Sequence, residues 1–286
     1  MTPSDLPAVS VGLPVYNGAR FLSRALDSLL AQRGVDLELV ICDNASTDET
    51  PEIAKAYAAR DARVRVQRSE TNLGVERNFA RALECASGNY FMWAACDDWW
   101  APDFAVRMVS ALERNPAAAV AMSAVERVSE SGHLLDLVRH EGVANPEHLS
   151  PWQLTMQLAG GRPYHLFIYG LFRTGFLRRV FTGFAPVVAA DRLLMCRVAM
   201  ASGFAYVNDV LHRRTVRQAS IANRYADETI GQLWRSRGAR WRMAAAAGPY
   251  LWRSPVLPPS RRTWVVAVVL RLIKANAGRA LADWTR

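Results

Sequence analysis

The sequence predicts an α/β protein with a mostly parallel, Rossmann-like sheet flanked by helices and a C-terminal helical extension. Three observations predict it. Short apolar runs alternate with helical periodicity along residues 9–122, the pattern of repeated βα units that wind right-handed and cover both sheet faces. Hydrophobic residues make up 51% of the 286-residue chain, which is ample for a core and argues against disorder. Three strand-end loops, Pro14-Val15-Tyr16-Asn17, Asp43-Asn44-Ala45-Ser46 and Cys96-Asp97-Asp98, bring polar groups to one sheet edge. Ligands of open α/β sheets bind there, beyond the carboxyl ends of the strands.

The elements follow in order. Residues 9–15 form a strand, and the helix from about Ala19 aligns Phe21, Leu22, Ala25, Leu26, Leu29 and Leu30 on one stripe. Residues 37–42 form a second strand that ends at Asp43. Ser46-Thr47-Asp48-Glu49 supplies cap chemistry for a helix through Ala59, with Pro51 in its first turn. A short strand at residues 64–66 precedes Asn72-Leu73-Gly74 and a helix over residues 75–86. After the turn pair Ser87-Gly88 comes the aromatic, uncharged run 90–95, then a helix over 102–114 and a strand at 118–122.

Asp97 and Asp98 stand where the aromatic strand ends. Two adjacent carboxylates repel unless a cation or a ligand's donors absorb the charge. Oxygen-only ligation suits a hard divalent ion, Mg²⁺ or Mn²⁺, whose remaining positions go to waters and phosphate oxygens. The plainer reading is a solvated Asp-Asp turn before a helix. No GxGxxG follows the first strand and no GxxxxGK[ST] occurs, which argues against a dinucleotide enzyme and a P-loop NTPase.

Charge divides the chain. Residues 229–286 hold 11 Lys/Arg against the single acid Asp283, so of the formal +9 the remaining 228 residues contribute −1. A near-neutral body with a cationic tail does not describe a nucleic-acid binder. The cysteines Cys42, Cys85, Cys96 and Cys196 lack metal-ligand spacing and read as reduced residues of a cytoplasmic protein. The polar N-terminus is not a signal peptide, and no uncharged run reaches the ~20 residues that span a bilayer.

In order, Pro14-Val15-Tyr16-Asn17, Asp43-Asn44-Ala45-Ser46-Thr47-Asp48, Asn72-Leu73-Gly74, Gly88-Asn89-Tyr90 and Cys96-Asp97-Asp98 resemble the signature blocks of the family 2 inverting glycosyltransferases with the GT-A fold. The resemblance covers residues 8–130 strongly and 185–222 more weakly. It implies a nucleoside-diphosphate-sugar donor, with Pro14, Tyr16, Asn17, Asp43, Asn44 and Asn72 on the donor side. Asn44 stands where many members carry a second aspartate, and it retains the capacity to pair with a base edge. By the same match Asp98 coordinates the metal and Asp97 approaches the ribose or donor sugar, the two together forming the metal's carboxylate pair. Asp191, opening a helix through about Met200, matches the general base, with Asp136, Glu126 and Asp209 as alternatives without matching context. Arg213 and Arg214 fall in the family's closing segment, which meets the diphosphate. The family's histidine falls here at Thr215 or Val216, and His212 lies out of register.

The implied organisation is a catalytic domain over residues 1–222, with a nucleotide-sugar half at about 1–125 and an acceptor half at 126–222, followed by a basic helical tail at 223–286. Gly160-Gly161-Arg162-Pro163-Tyr164-His165 lies on the acceptor side. The acceptor that the resemblance implies is a glycan or lipid-linked hydroxyl of the cell envelope. A sugar nucleotidyltransferase is one alternative, although its glycine- and arginine-rich loop after the first strand is missing. A non-catalytic, membrane-associated nucleotide-sugar-binding subunit is the other. Residues 261–284 read as one helix after the break at Pro255-Val256-Leu257-Pro258-Pro259. Val266, Val269, Leu270, Ile273, Ala277, Ala280 and Trp284 share one side of it, and Arg271, Lys274 and Arg279 another, with Trp264, Val265 and Leu272 off the stripe. A basic amphipathic helix suits the anionic cytoplasmic face of the plasma membrane. Packing on the catalytic domain, or on the second subunit of a homodimer, is the competing use.

Overall fold

The computed structural model describes residues 8–141, 145–161, 163–185, 187, 189–217 and 239–284. Among these residues nine strands form one sheet, in the order β3-β2-β1-β4-β8-β6-β9-β5, with β7 paired to β6. The first half is the expected parallel unit: β1 (Val9–Val15), β2 (Leu37–Asp43), β3 (Val64–Arg68) and β4 (Tyr90–Trp93). Their helices are α1 (Ala19–Leu30), α2 (Thr50–Arg60) and α3 (Val75–Glu84), followed by α4 (Phe104–Arg114). The α1 stripe buries Leu22, Ala25, Leu26 and Leu29, while Phe21 and Leu30 stay partly exposed. Helix α3 rests closely on β1 at Gly12, where a Cβ would lie 2.9 Å from both Ala82 and the Phe91 ring.

The second half departs from simple alternation. The strand expected at 118–122 runs on as β6 (Ala118–Ser129), because its partner β9 (Gly203–Val216) is as long or longer and lies parallel to it along the whole length of β6. Between β4 and β6 sits the reversed strand β8 (Leu171–Arg173), antiparallel to both. The two-residue strand β5 (Trp99–Trp100) pairs antiparallel with β9, and β7 (Leu134–Val138) hairpins onto β6. A short reversed segment such as β8 carries no periodicity by which a sequence reading could orient it. Trp93, fully buried at the centre, packs edge-on to Phe91, Phe172 and Phe181 and donates its ring N–H to the Phe79 carbonyl at 2.9 Å.

One cap expectation changes. Ser46 Oγ accepts from Asn17 N at 2.9 Å, Thr50 Oγ1 from Gly18 N at 2.9 Å and Asp48 Oδ2 from Ala19 N at 3.1 Å. The loop before α2 therefore caps α1, whose own N-cap is a glycine without a side chain. Asp48 also accepts from Thr50 N. Although burial would raise its pKa, these bonds hold it below the usual carboxylate range.

The remaining helices are α5 (Pro151–Ala159), α6 (Thr174–Val180), α7 (Ala190–Ala201), α8 (Ala239–Trp252) and α9 (Trp264–Trp284). A Ser150/Gln153 capping box starts α5. Arg197 of α7, buried with no carboxylate partner among the described residues, donates to Val180 O and Thr182 Oγ1 and lies 3.7 Å over the Tyr250 ring. It ties α7 to α8. The stripe expected on α9 is not the one that packs: Val265, Val268 and Leu272 are buried, whereas Val266 and Leu270 are exposed. Helix α9 lies on α8 and α5 at once, and the residues facing both neighbours centre on the row the sequence placed off the stripe. The side chains of Ala277, Arg279, Ala280 and Trp284 lie outside the described residues, as do Arg162, the side chains of Pro163, Tyr164 and His165, and the expected boundary at 222. No helix among the described residues is long and apolar enough to cross a membrane.

Candidate active site

The carboxyl ends of β1 and β4 open into a cleft of about 150 Å³ lined by Pro14, Val15 and Tyr16 on one side and Ala95 to Asp98 below. Arg127, Tyr169, Arg214, Thr215, Val216 and Arg217 close the other side, with Phe79 nearby.

The two aspartates take different positions. Asp98 is 2% exposed, and its carboxylate faces inward. Thr215 N–H donates to its Oδ1 at 2.9 Å, and His212 Nε2 lies 3.0 Å from its Oδ2. His212 is fully buried and stacks on Trp100 at 5.1 Å, so a histidine that looked out of register in sequence reaches the acidic turn after all. Asp97 is held through its backbone carbonyl, which accepts from Thr215 Oγ1 at 2.5 Å and Arg24 Nη2 at 3.0 Å. Its carboxylate pairs with Arg217, with Nε 2.7 Å from Oδ2. Burial lowers the Arg217 pKa, but electrostatic attraction to Asp97 and Cys96 and the hydrogen bonds to both together raise it above its ordinary value. Its face lies 4.5 Å over the Phe21 ring.

This division supports a prediction. Asp98→Ala leaves Thr215 N–H and His212 Nε2–H buried without an acceptor, at a cost of about 1–3 kcal/mol for each orphaned group. We expect a clear drop in the urea unfolding midpoint with an unchanged slope. A midpoint equal to that of the parent would show that Asp98 does not anchor β9.

The parallel ladder sorts the arginines. Glu126 lies opposite Arg213, and Arg127 opposite Arg214. Alternation along a strand sends these pairs to opposite faces. Arg213 therefore points out of the cleft, pairing with Glu126 at 2.9 Å above the Trp99 ring, whereas Arg214 and Arg127 line it. Burial lowers the Arg214 pKa, but Tyr169, Asp98, Asp191 and Asp97 together raise it above its ordinary value. Asp191, in the first turn of α7, thus lies within electrostatic reach of the cleft without lining it. Its Oδ1 accepts from Arg192 N at 2.8 Å, and the N-cap position belongs to Ala189 at φ +55°. Glu126, Asp136 and Asp209 are engaged by Arg213, Arg127 and Arg107.

The Asx residues of the first two loops serve the scaffold. Asn44, 1% exposed, donates to Asn72 Oδ1 at 2.7 Å and Gly74 O at 3.3 Å, and accepts from Leu73 N at 2.9 Å. With its amide spent on the turn, it offers no free edge to a base, contrary to the expectation from sequence. Asn72 accepts from Gly74 N as well, which supports a glycine at φ +80°. Asn17 accepts from Thr47 N, and fully buried Asp43 accepts from Ser46 N with Arg68 Nε 3.3 Å from its Oδ2. Cys96 lines the cleft, but burial, reinforced by Asp97, pushes its thiol to about 12, so it stays protonated and unreactive. Arg127, Tyr169 and Arg217 were not singled out from sequence. A period-2 reading of β6 beside β9 would have found Arg127, had their register been known.

Comparison with known proteins follows the same lines. A family model described as Glycosyl transferase family 2 matches residues 10–181. Chondroitin synthase of Pasteurella multocida is 38% identical over 98 residues, 34% of this chain and 10% of that protein. The matches span between 10% and 40% of the length of such curated relatives. Among solved structures, S. aureus TarS 1-349 in complex with UDP-GlcNAc superimposes with a TM-score of 0.66 at 17% identity, covering 93% of this chain and 72% of that one. The mannosyltransferase PcManGT from Pyrobaculum calidifontis, in complex with GDP-Man and Mn²⁺, gives a TM-score of 0.57 at 20% identity, covering 99% and 80%. At such identities the likeness speaks for the fold, which is GT-A. With the family model matching more than half of its length, this chain belongs to glycosyl transferase family 2.

Proposed function

We propose that the chain is an inverting glycosyltransferase that moves a sugar from a nucleoside-diphosphate-sugar, a UDP-sugar by preference, to a hydroxyl of a glycan or lipid-linked acceptor of the cell envelope, on the cytoplasmic side of the membrane. One observation carries the reading. Asp97 shares a single cleft with Arg127, Arg214 and Arg217, beyond the carboxyl ends of β1 and β4. Arginines are fitted to the diphosphate as charge-assisted donors. The neighbours' ligands, UDP-GlcNAc and GDP-Man with Mn²⁺, support a nucleotide-sugar donor and a divalent ion. Chondroitin synthase among the relatives supports a glycan acceptor.

The acceptor oxygen attacks the anomeric carbon from the side opposite the nucleotide. The new C–O bond forms as the bond to the β-phosphate oxygen breaks, and the electron pair leaves with the nucleoside diphosphate. Asp191 takes the acceptor proton. Arg214 and Arg217 stabilise the leaving diphosphate, with Arg127 beside them. The donor set fits Mg²⁺ or Mn²⁺ through Asp97, since these ions need only one or two protein carboxylates when phosphates complete the shell. Asp98, whose two oxygens meet Thr215 N–H and His212 Nε2 but keep further lone pairs, would hold the ion together with Asp97. When bound, the ion supplies positive charge to the leaving group. We keep residues 1–222 as the catalytic domain and 223–286 as the tail, with β6 and β9 joining the donor and acceptor halves in one sheet.

Incubation with UDP- and GDP-sugars, Mn²⁺ and candidate glycans tests the reading. Release of nucleoside diphosphate is expected, whereas pyrophosphate would mark a nucleotidyltransferase and no release a binding subunit. Arg217→Ala is expected to raise the donor KM about ten- to a hundredfold, the worth of a charge-assisted hydrogen bond. An unchanged KM would reduce Arg217 to a partner of Asp97.

A further inference from the structure

Helices α8 and α9 pack inward through Met243, Ala244, Ala247 and Leu251 and through Val265, Val268 and Leu272. Their outward side is also apolar. On α8 the exposed residues Trp241, Ala245, Pro249 and Trp252 recur at helical spacing, with Trp252 49% exposed. On α9 Val266 and Leu270, 63% and 60% exposed, continue the surface one turn apart. The exposed cations Arg253, Arg262, Arg271 and Lys274 border it, and Arg262 lies over the Trp252 ring at 5.7 Å. Residues 239–275 hold seven Arg/Lys and no Asp or Glu.

Large exposed apolar side chains normally disperse over a soluble surface, and grouping marks a contact. Here they are grouped within a purely cationic field on a body that is otherwise near neutral. Tryptophan rings with arginines beside aliphatic side chains form the composition of an interfacial membrane contact, apolar groups entering the headgroup boundary while cations meet anionic lipid.

We propose that the outward face of α8 and α9, centred on Trp252, Val266 and Leu270, docks on an anionic lipid bilayer. This deepens the reading of a lipid-linked or envelope-bound acceptor and rests on it. The placement serves that use. Helix α7, which carries Asp191, packs directly on α8, and the Arg271 side chain of α9 lies over Gly160 at the start of the expected acceptor-side segment. A docked enzyme would hold its acceptor side close to the lipid surface while leaving the donor cleft open to the cytoplasm.

Co-sedimentation of the full chain with vesicles of phosphatidylcholine, with and without phosphatidylglycerol, tests this. Pelleting with anionic vesicles at low salt is expected, at least about tenfold stronger than with neutral ones and weakened by added salt. The surface variants Val266→Ser/Leu270→Ser and Arg253→Glu/Arg262→Glu should each lose it while keeping the far-UV dichroism of the parent. Nucleoside diphosphate release with a water-soluble acceptor should be unchanged in both variants, so failure of docking and failure of the glycosyltransferase reading are told apart. Equal pelleting with neutral vesicles, no pelleting, or unaltered pelleting of both variants would overturn the proposal. So would a dimer in light scattering that Val266→Ser/Leu270→Ser dissociates, because the face would then belong to a second copy.

Discussion

Asp97→Asn is expected to lower turnover by about three orders of magnitude, the several kcal/mol that charge neutralisation at a leaving diphosphate supplies. The substitution preserves shape and leaves the Asp97 backbone carbonyl, with its bonds from Thr215 and Arg24, in place. What it removes is one negative charge from the cleft. Arg217 then loses its ion-pair partner and faces the donor alone, so donor affinity should fall less than turnover. Parent activity should vanish in EDTA and return with Mn²⁺, while the variant should stay inactive in both. Near-normal turnover of Asp97→Asn in excess EDTA would remove Asp97 and the ion from the mechanism together.

Asp191→Asn is expected to cost at least about 100-fold in turnover, the lower end of general-base contributions. The amide keeps the oxygen that accepts from Arg192 N, and the N-cap position is not its own. Stability and donor binding should therefore change little. Loss of the Asp191 charge also removes one of the groups that raise the Arg214 pKa, with Tyr169, Asp98 and Asp97 remaining. Arg214 stays protonated in either case, so the rate loss is not a loss of that cation. A variant that melts early but turns over normally would assign Asp191 to the helix dipole alone.

Much of the donor side could be read from the chain itself. Strands β1 to β4 and helices α1 to α4 came out near their observed positions because each buries a face whose period, two or 3.6 residues, is written into the side chains. The acidic turn after β4 was visible for the same reason, since it follows the end of a strongly patterned strand, whereas Asp191 at the start of α7 stood out only through the family resemblance. What the pattern could not carry was pairing. His212 meets Asp98 only because β9 runs antiparallel to β5, and Arg213 and Arg214 part company only because Glu126 and Arg127 lie opposite them. Asn44 looked like a ligand group until Asn72 and Gly74, 28 and 30 residues away, proved to occupy it.

The sequence by itself determined the fold class, the succession of strands and helices in its parallel half, the acidic turn and the cationic tail, because local periodicity and net charge need no partner to be read. The tertiary structure alone decided which polar groups face the cleft and which side of α9 is buried. Those outcomes depend on strand register and on which neighbours a helix meets, contacts between residues far apart in the chain that no local pattern encodes.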